Sequence, residues 1–401
     1  MIIFGANIGL PIHMSKRLLF FILILWTSVG VSQQRERLVL GLFWNERPQT
    51  IIVSVRGGEY VLIADGNLEI PLGTSDMFHI STDGNKVKVK NLSKTFGSFT
   101  KIEIKEINDT SSINIKSTKP KLANRVYEDD FRIYASEGRL KILNDAELAN
   151  YVAGVVQWES GNGNAPEYYQ AQAIITRTYA LRNINKYESQ GFNLCDRVDS
   201  QVYKGRTQNK DILRAVKATK DLVLVDDNMN LISAVFHSNS GGQTHNSEEV
   251  WSKPVPYLRA VVDTFSIGQP HYEWEKTMTT EKWLSTLKKV YHVDVSNKKT
   301  RHQLVHYCPK KRRDYMLPNG QLKTTQVRST FGLRSTNFCV KEKGDYVIIT
   351  GVGFGHGVGF SQEGAMKMAN YGYSHTEILL FYYTGVHLVN VHTMDLLEGG
   401  E

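Results

Sequence analysis

The chain has 401 residues, 41% of them hydrophobic and 22% charged, with only 10 prolines. That length buries a substantial core in one large domain or two smaller ones, and the composition excludes a disordered or fibrous protein. The formal charge of +8 favours an anionic partner, but the basic residues read as spread along the chain among acidic ones, with no RNA- or DNA-binding motif; a polyanionic polysaccharide fits the charge equally well.

Residues 1–32 read as a targeting segment. Lys16 and Arg17 precede the apolar run Leu18–Trp26, and small residues follow up to Ser32. This is the charged, apolar and cleavable order of an export signal, so the chain is expected in the periplasm or cell envelope. The run is too short to span a bilayer; an uncleaved anchor would need it to continue to Val31. Of the three cysteines, none lies in a C-x-x-C pair, which argues against a zinc ribbon. In an exported chain Cys308 and Cys339 form the favoured disulfide, leaving Cys195 as the odd thiol.

From Leu38 to about Lys121 short alternating strands are expected. "TIIVSVRGGEYVLIA" (Thr50–Ala64) reads as a hairpin turning at Gly57-Gly58. Val87–Leu92 and Lys101–Ile107 alternate apolar and charged residues, as half-buried strands do. A β-rich part over 33–125 is therefore expected, followed by a helix-containing catalytic core over 126–392 and a tail over 393–401. The fold class is α+β, with the β-rich part packed on a unit that carries a substrate cleft.

Helical spacing begins with Leu148, Tyr151, Val152, Val155 and Val156, after a capping-box-like Asn144 and Glu147. Glu159 falls beside that apolar face at the C-terminal end, next to Trp158. There the helix dipole and apolar packing both disfavour an ionised carboxylate. A carboxyl so placed suits general acid catalysis near neutral pH; a solvated helix-end glutamate is the plainer alternative. After "SGNGNA", Pro166 opens a second helix to about Lys186, long and amphipathic. A further helix is expected around Thr280–Val290.

Two later stretches carry candidate groups. "HSNSGG" offers His237, Ser238 and Ser240 before Gly241 and Gly242. With no buried aspartate identifiable it reads as a turn, either lining a groove with hydrogen-bonding groups or purely structural. "GVGFGHGVG" has glycine at 351, 353, 355, 357 and 359; on a strand these would leave one face bare. His356 reaches substrate or bonds within the core, and Ser361 caps the helix after it.

The run Leu143–Leu181 resembles the central motif of the SpoIID/LytB (stage II sporulation protein D) family, of the form Y-x-x-G-V-V-x-x-E followed by A-Q-A-x-x-x-R-T-Y. Here these are Tyr151, Gly154, Val155, Val156 and Glu159, then Ala171, Gln172, Ala173, Arg177, Thr178 and Tyr179. "SQVYKG" (Ser200–Gly205), "HSNSGGQT" (His237–Thr244), "PYLRAV" (Pro256–Val261) and "GFGHGVGFSQEGA" (Gly353–Ala365) resemble further family blocks, in family order.

The resemblance implies a peptidoglycan lytic transglycosylase. Such an enzyme cleaves the bond between N-acetylmuramic acid and N-acetylglucosamine without water, leaving 1,6-anhydro ends, on glycan strands stripped of their stem peptides. It places the catalytic carboxylate at Glu159. Substrate contacts are expected from Gln201, Tyr203, His237, Ser238, Ser240, His356 and Gln362. Trp158, Arg177, Tyr179, Gly241 and Gly242 are expected to support the site. Some family members carry a Cys/His metal site near the position of Cys195, but Ser189–Tyr203 holds no histidine and no second cysteine, so no metal or other cofactor is expected. The family also implies an alternative: a non-catalytic peptidoglycan-binding protein that modifies a cell-wall amidase.

Overall fold

The computed structural model describes residues 37–108, 111–251 and 253–393. The expected export signal over 1–32, and the expected tail from 394 onward, lie outside the described residues. The class is α+β, as expected. The β-rich N-terminal region contains β1 (Arg37–Leu42), β2 (Thr50–Gly57), β3 (Tyr60–Ala64), β4 (Leu68–Leu72), β5 (Met77–Asp83), β6 (Lys86–Lys90), β7 (Thr95–Phe99), β8 (Lys101–Glu106), β9 (Ser112–Lys119), β10 (Arg125–Tyr127), β11 (Asp130–Ser136) and β12 (Arg139–Glu147). Together with β13 (Leu194–Cys195) they form two sheets, ordered β13-β1-β12-β11-β8-β3-β4 and β10-β9-β2-β5-β6-β7. Period-two patterning places Leu62, Ile104 and Ile133 of the first sheet and Val53, Ile80 and Val89 of the second in one core. Each such side chain contributes about 1.5–3 kcal/mol by leaving water.

The expected hairpin at Gly57-Gly58 does not form. β2 pairs with β5 and β9, whereas β3 pairs with β4 and β8. The turn instead carries the chain from one sheet to the other. Gly58 sits at φ 69°, and a Cβ there would lie 2.7 Å from Ser111 Cα, so glycine is required by both conformation and space.

β12 runs directly into α1 (Leu148–Ser160), and α2 spans Pro166–Arg182 with Pro166 in its first turn. The Asn144 cap is replaced. Asn144 belongs to β12, where its buried amide donates to Glu128 O and Asp130 O at 3.1 Å each. Glu147 is the N-cap of α1 and makes no side-chain cap bond. Nor is α2 amphipathic: residues from Tyr168 to Ala180 are buried on nearly every face. It is a central helix, packed on by α1, by α3 (Lys210–Ala218), by β14 (Leu222–Val225) and by α7 (Gln362–Asn370) and α8 (His375–Tyr382). Two short strands, β15 (Phe236–His237) and β19 (Phe360–Ser361), pair in parallel beside it, and β20 (His387–Asn390) pairs with β14.

Residues 273–352 build a second core. β16 (Glu273–Thr279), β17 (Phe338–Lys343) and β18 (Tyr346–Val352) form a sheet in the order β16-β18-β17, covered by α4 (Thr280–Tyr291), α5 (Lys298–Val305) and α6 (Thr324–Phe331) around Trp283, Leu287 and Ile349. Cys308 and Cys339 are disulfide-bonded here, and Cys195 is a buried free thiol. The bridge spans 31 residues of sequence, a loop whose closure is worth roughly 3–4 kcal/mol on chain-entropy grounds. We expect Cys308→Ser/Cys339→Ser to lose about that much against denaturant, the loss confined to this subdomain in hydrogen exchange; protection lost equally throughout the chain would contradict that.

The basic residues are not evenly spread. Residues 273–352 hold 16 Lys and Arg against 7 Asp and Glu, while the rest of the chain holds 32 against 33. The net positive charge therefore resides in this subdomain.

Candidate active site

The last turn of α1 presents Glu159, half-buried. Gly161, at φ 67°, ends the helix and donates to Gln157 O. Asn164 Nδ2 donates to Ser160 O at 2.9 Å, and the Tyr169 hydroxyl donates to Gly161 O at 3.0 Å. The loop that follows the glutamate is thus pinned to both helices. Gly154 explains the glycine of the Y-x-x-G-V-V run: a Cβ there would lie 2.5 Å from both Gly205 O and Tyr203 Cε2, so α1 could not close on the 200–205 segment.

Closure puts the Val202 N–H 3.1 Å from Glu159 Oε1. Oε2 takes no hydrogen bond among the described residues. Gln362 Nε2 donates to the Glu159 carbonyl at 3.3 Å, joining α1 to α7. Burial pushes the Glu159 carboxyl above its ordinary pKa, and the Val202 N–H and Lys204 offset only part of that shift. Trp158 contributes otherwise than expected. It is 49% exposed, carries Lys204 Nζ 4.8 Å from its ring centre, and lines a neighbouring hollow with Arg56 and Arg206 rather than the one holding Glu159.

Glu159 opens into a cleft of about 510 Å³ that also receives Tyr179, Gln201, His237, Ser238, His356 and Gln362. Expected groove residues from four separate stretches therefore converge. Gln201 is buried and accepts from the Tyr151 hydroxyl at 3.0 Å. His237 Nδ1 lies 3.1 Å from Val358 O, which can only accept, so Nδ1 carries the proton. Its Nε2 is then a bare acceptor, buried without a partner among the described residues. Burial and the nearby His356 and His245 hold His237 well below its ordinary pKa; it is neutral, a hydrogen-bond acceptor rather than an acid.

His356 donates from Nε2 to Phe236 O at 2.9 Å and accepts the Val358 N–H on Nδ1. Both nitrogens are used internally and burial lowers its pKa to about 4, so it offers substrate only a ring face. Ser238 Oγ lies 3.3 Å from His271 Nδ1, which also meets Glu363 Oε1 at 2.7 Å.

Two expected contacts lie elsewhere. Tyr203 is buried between the rings of Tyr127 and Tyr151. Ser240 is buried and donates to Asp263 at 2.7 Å; this supplies the buried aspartate that the sequence did not reveal, but with no histidine bonded between them the pair forms no hydrolytic triad. Gly241 and Gly242 hold φ of 73° and 97° in that turn. Arg177 is buried under β14, donating to Leu222 O at 3.0 Å. Ser361 occupies the N-cap of α7, yet its hydroxyl accepts from Ser240 N instead of capping.

The glycine run is a loop, not a bare-faced strand. β18 ends at Val352, and Gly353, Gly355, Gly357 and Gly359 all have positive φ, from 69° to 118°. Each lies against 235–245: a Cβ at Gly355 would sit 2.6 Å from His237 Cβ, and one at Gly357 would sit 2.7 Å from His245 Nε2. Gly357→Ala should cost about 1–3 kcal/mol from backbone strain alone, read as a lower denaturant midpoint; an unchanged midpoint would contradict this packing.

A family profile described as "SpoIID: Stage II sporulation protein" matches residues 136–225. The chain is 34% identical over 261 residues to the stage II sporulation protein D of Bacillus amyloliquefaciens, covering 61% of this chain and 74% of that one. It is 32% identical over 263 residues to the protein of the same name in Bacillus subtilis (strain 168), covering 61% and 75%. The chain belongs to the SpoIID family. An amidase enhancer of Bacillus subtilis is 28% identical over 375 residues, 80% of this chain and 51% of that protein.

In this SpoIID-family chain, Val198, Ala234, Val235 and Phe236 line the cleft outside every quoted motif, and Ser200, Phe354 and Gly355 line it from within motifs that did not single them out. Phe354 had a signal, a lone large aromatic between glycines; its ring is 37% exposed. Tyr179, expected as support, lines the cleft itself. Cys195 is enclosed by Tyr187 and Ser200, with its Sγ 3.6 and 3.5 Å from their hydroxyls.

Proposed function

We propose that this protein is an exported lytic transglycosylase that cuts peptidoglycan glycan strands, with Glu159 as general acid and then base. The carriage of a raised-pKa carboxyl at the wall of an open cleft supports this reading. Family membership and the similarity to an amidase enhancer support a cell-wall role.

In the first half-reaction the protonated Glu159 carboxyl gives its proton to the glycosidic oxygen as the bond from the muramic acid C1 breaks. The 6-hydroxyl of the same sugar then attacks C1, and its proton passes to the Glu159 carboxylate. Bond making and proton count balance, and the enzyme returns to its starting state without water. One carboxylate suffices because the substrate supplies its own nucleophile; ordinary glycosidases need two. In this reading His237 and Gln201, which line the cleft, contribute to positioning the sugar rather than to proton transfer.

Incubation with peptide-free glycan tests the reading, with products read by mass. Anhydro-ended fragments that disappear in Glu159→Gln are expected. The similarity to an amidase enhancer favours one alternative, a non-catalytic modifier of a wall amidase. Uncut strands, bound equally by both proteins, would establish that alternative.

A further inference from the structure

Most of the positive charge in residues 273–352 is not matched by a paired acid among the described residues. Among the described residues, only Arg301 and Arg312 of its sixteen cations form ion pairs. Lys288 and Lys289 end α4, a short connection follows, and Lys298 and Lys299 open α5; all four are exposed. Cations are favourable at the end of a helix but unfavourable at the start, and the first turn of α5 contains no acid; the connection supplies one, Asp294, which interacts with Lys288 and leaves the other lysines in excess. Repelling charges gathered at one end of a helix pair weaken the fold, which points to a ligand that neutralises them.

The charge continues to the cleft. Arg334 lies over the Phe354 ring at 5.3 Å, and Phe354 lines the cleft that holds Glu159. The Arg334 carbonyl accepts the Gly355 N–H at 2.9 Å and the Arg328 Nε–H at 3.2 Å. The field of Arg328 reaches both His237 and His356. Past Phe354 the cleft therefore borders Arg334, which itself belongs to the basic subdomain.

We propose that residues 273–352 form a docking surface for the carboxylate-bearing glycan strand itself, extending the cleft beyond Phe354. This rests on the glycan-cleaving reading. Each muramic acid freed of its stem peptide exposes a lactyl carboxylate, so a stripped strand carries regularly spaced negative charge. The subdomain complements that charge. Phosphodiester wall polymers and anionic lipids share the negative charge but lack continuity with a sugar-cutting cleft.

The test is equilibrium binding in a Glu159→Gln background, so that no strand is consumed. Peptide-free glycan is compared with the same glycan methyl-esterified at its lactyl carboxylates. Esterification, or Lys288→Gln/Lys289→Gln/Lys298→Gln/Lys299→Gln, is expected to weaken binding roughly tenfold or more. Raising salt from about 0.05 to about 0.5 M should weaken the native pair and leave the esterified one nearly unaffected. Equal affinity for the esterified strand overturns the proposal, and needs no substitution that could disturb folding. So does tighter binding to a glycerol-phosphate polymer or to phosphatidylglycerol vesicles than to glycan. Charge-dependent binding of strands that the wild-type protein leaves uncut would overturn the cleavage reading while sustaining this one.

Discussion

Glu159→Gln should abolish most cleavage of peptide-free glycan, lowering kcat by ~10²–10⁴, while strand affinity stays within a few-fold of wild type. Glutamine fills the same space and can still accept the Val202 N–H, so the loss would be chemical rather than structural. The pH dependence follows from the direction of the shift. A carboxyl raised above its ordinary value stays protonated to higher pH, so the acid step is lost as pH rises through that raised value, not through the usual ~4.3. Stability follows the same sign. Ionising a buried carboxyl costs free energy in the folded state, so stability declines as pH rises from the ordinary pKa past the raised one. Glu159→Gln removes that decline, and its Tm at neutral pH should equal or exceed wild type. A lowered Tm together with lost affinity would mean that Glu159 holds structure instead.

The second large effect concerns Arg125 and Asp196. Asp196 is almost fully buried, accepts the Phe43 N–H at 2.8 Å, and meets Arg125 Nη1 at 2.7 Å. Burial pushes Asp196 above its ordinary pKa even though Arg125 and two backbone N–H groups favour its charge. Removing the arginine alone strands that carboxylate in the interior and should cost about 3–5 kcal/mol. Arg125→Met is therefore expected to destabilise strongly, by denaturant titration at neutral pH. Arg125→Met/Asp196→Asn should recover much of the loss, because the unpaired charge is then absent. If the double variant is no better than the single one, the cation over Phe43, 4.2 Å from its ring centre, matters more than the ion pair.

Much of this arrangement is legible in local pattern. Alternation in "KVKVK" gives β6 its buried Val87 and Val89, and the 3.6-residue spacing from Leu148 onward puts Glu159 at the end of a helix. Local pattern fails where distant partners decide. Thr50–Ala64 has the composition of a hairpin, yet each strand finds better partners elsewhere, and the glycine pair serves a crossing between sheets. Asn144 has the character of a cap, but the β11–β12 region takes its amide first. The period-two glycines mimic a strand face, whereas their use is four positive-φ turns against 235–245. Ser240 and His356 show the limit for the site: residue type suggests a contact, but only the fold reveals that Asp263, Phe236 and Val358 already occupy their polar atoms.

The most direct measurement is the carboxyl titration of Glu159, followed by carbon NMR in protein labelled at glutamate and assigned by comparison with Glu159→Gln. The midpoint is predicted to lie above that of an ordinary glutamate and to coincide with the alkaline loss of glycan cleavage. A midpoint at or below the ordinary value, with cleavage unchanged across it, would contradict the role given to this carboxyl.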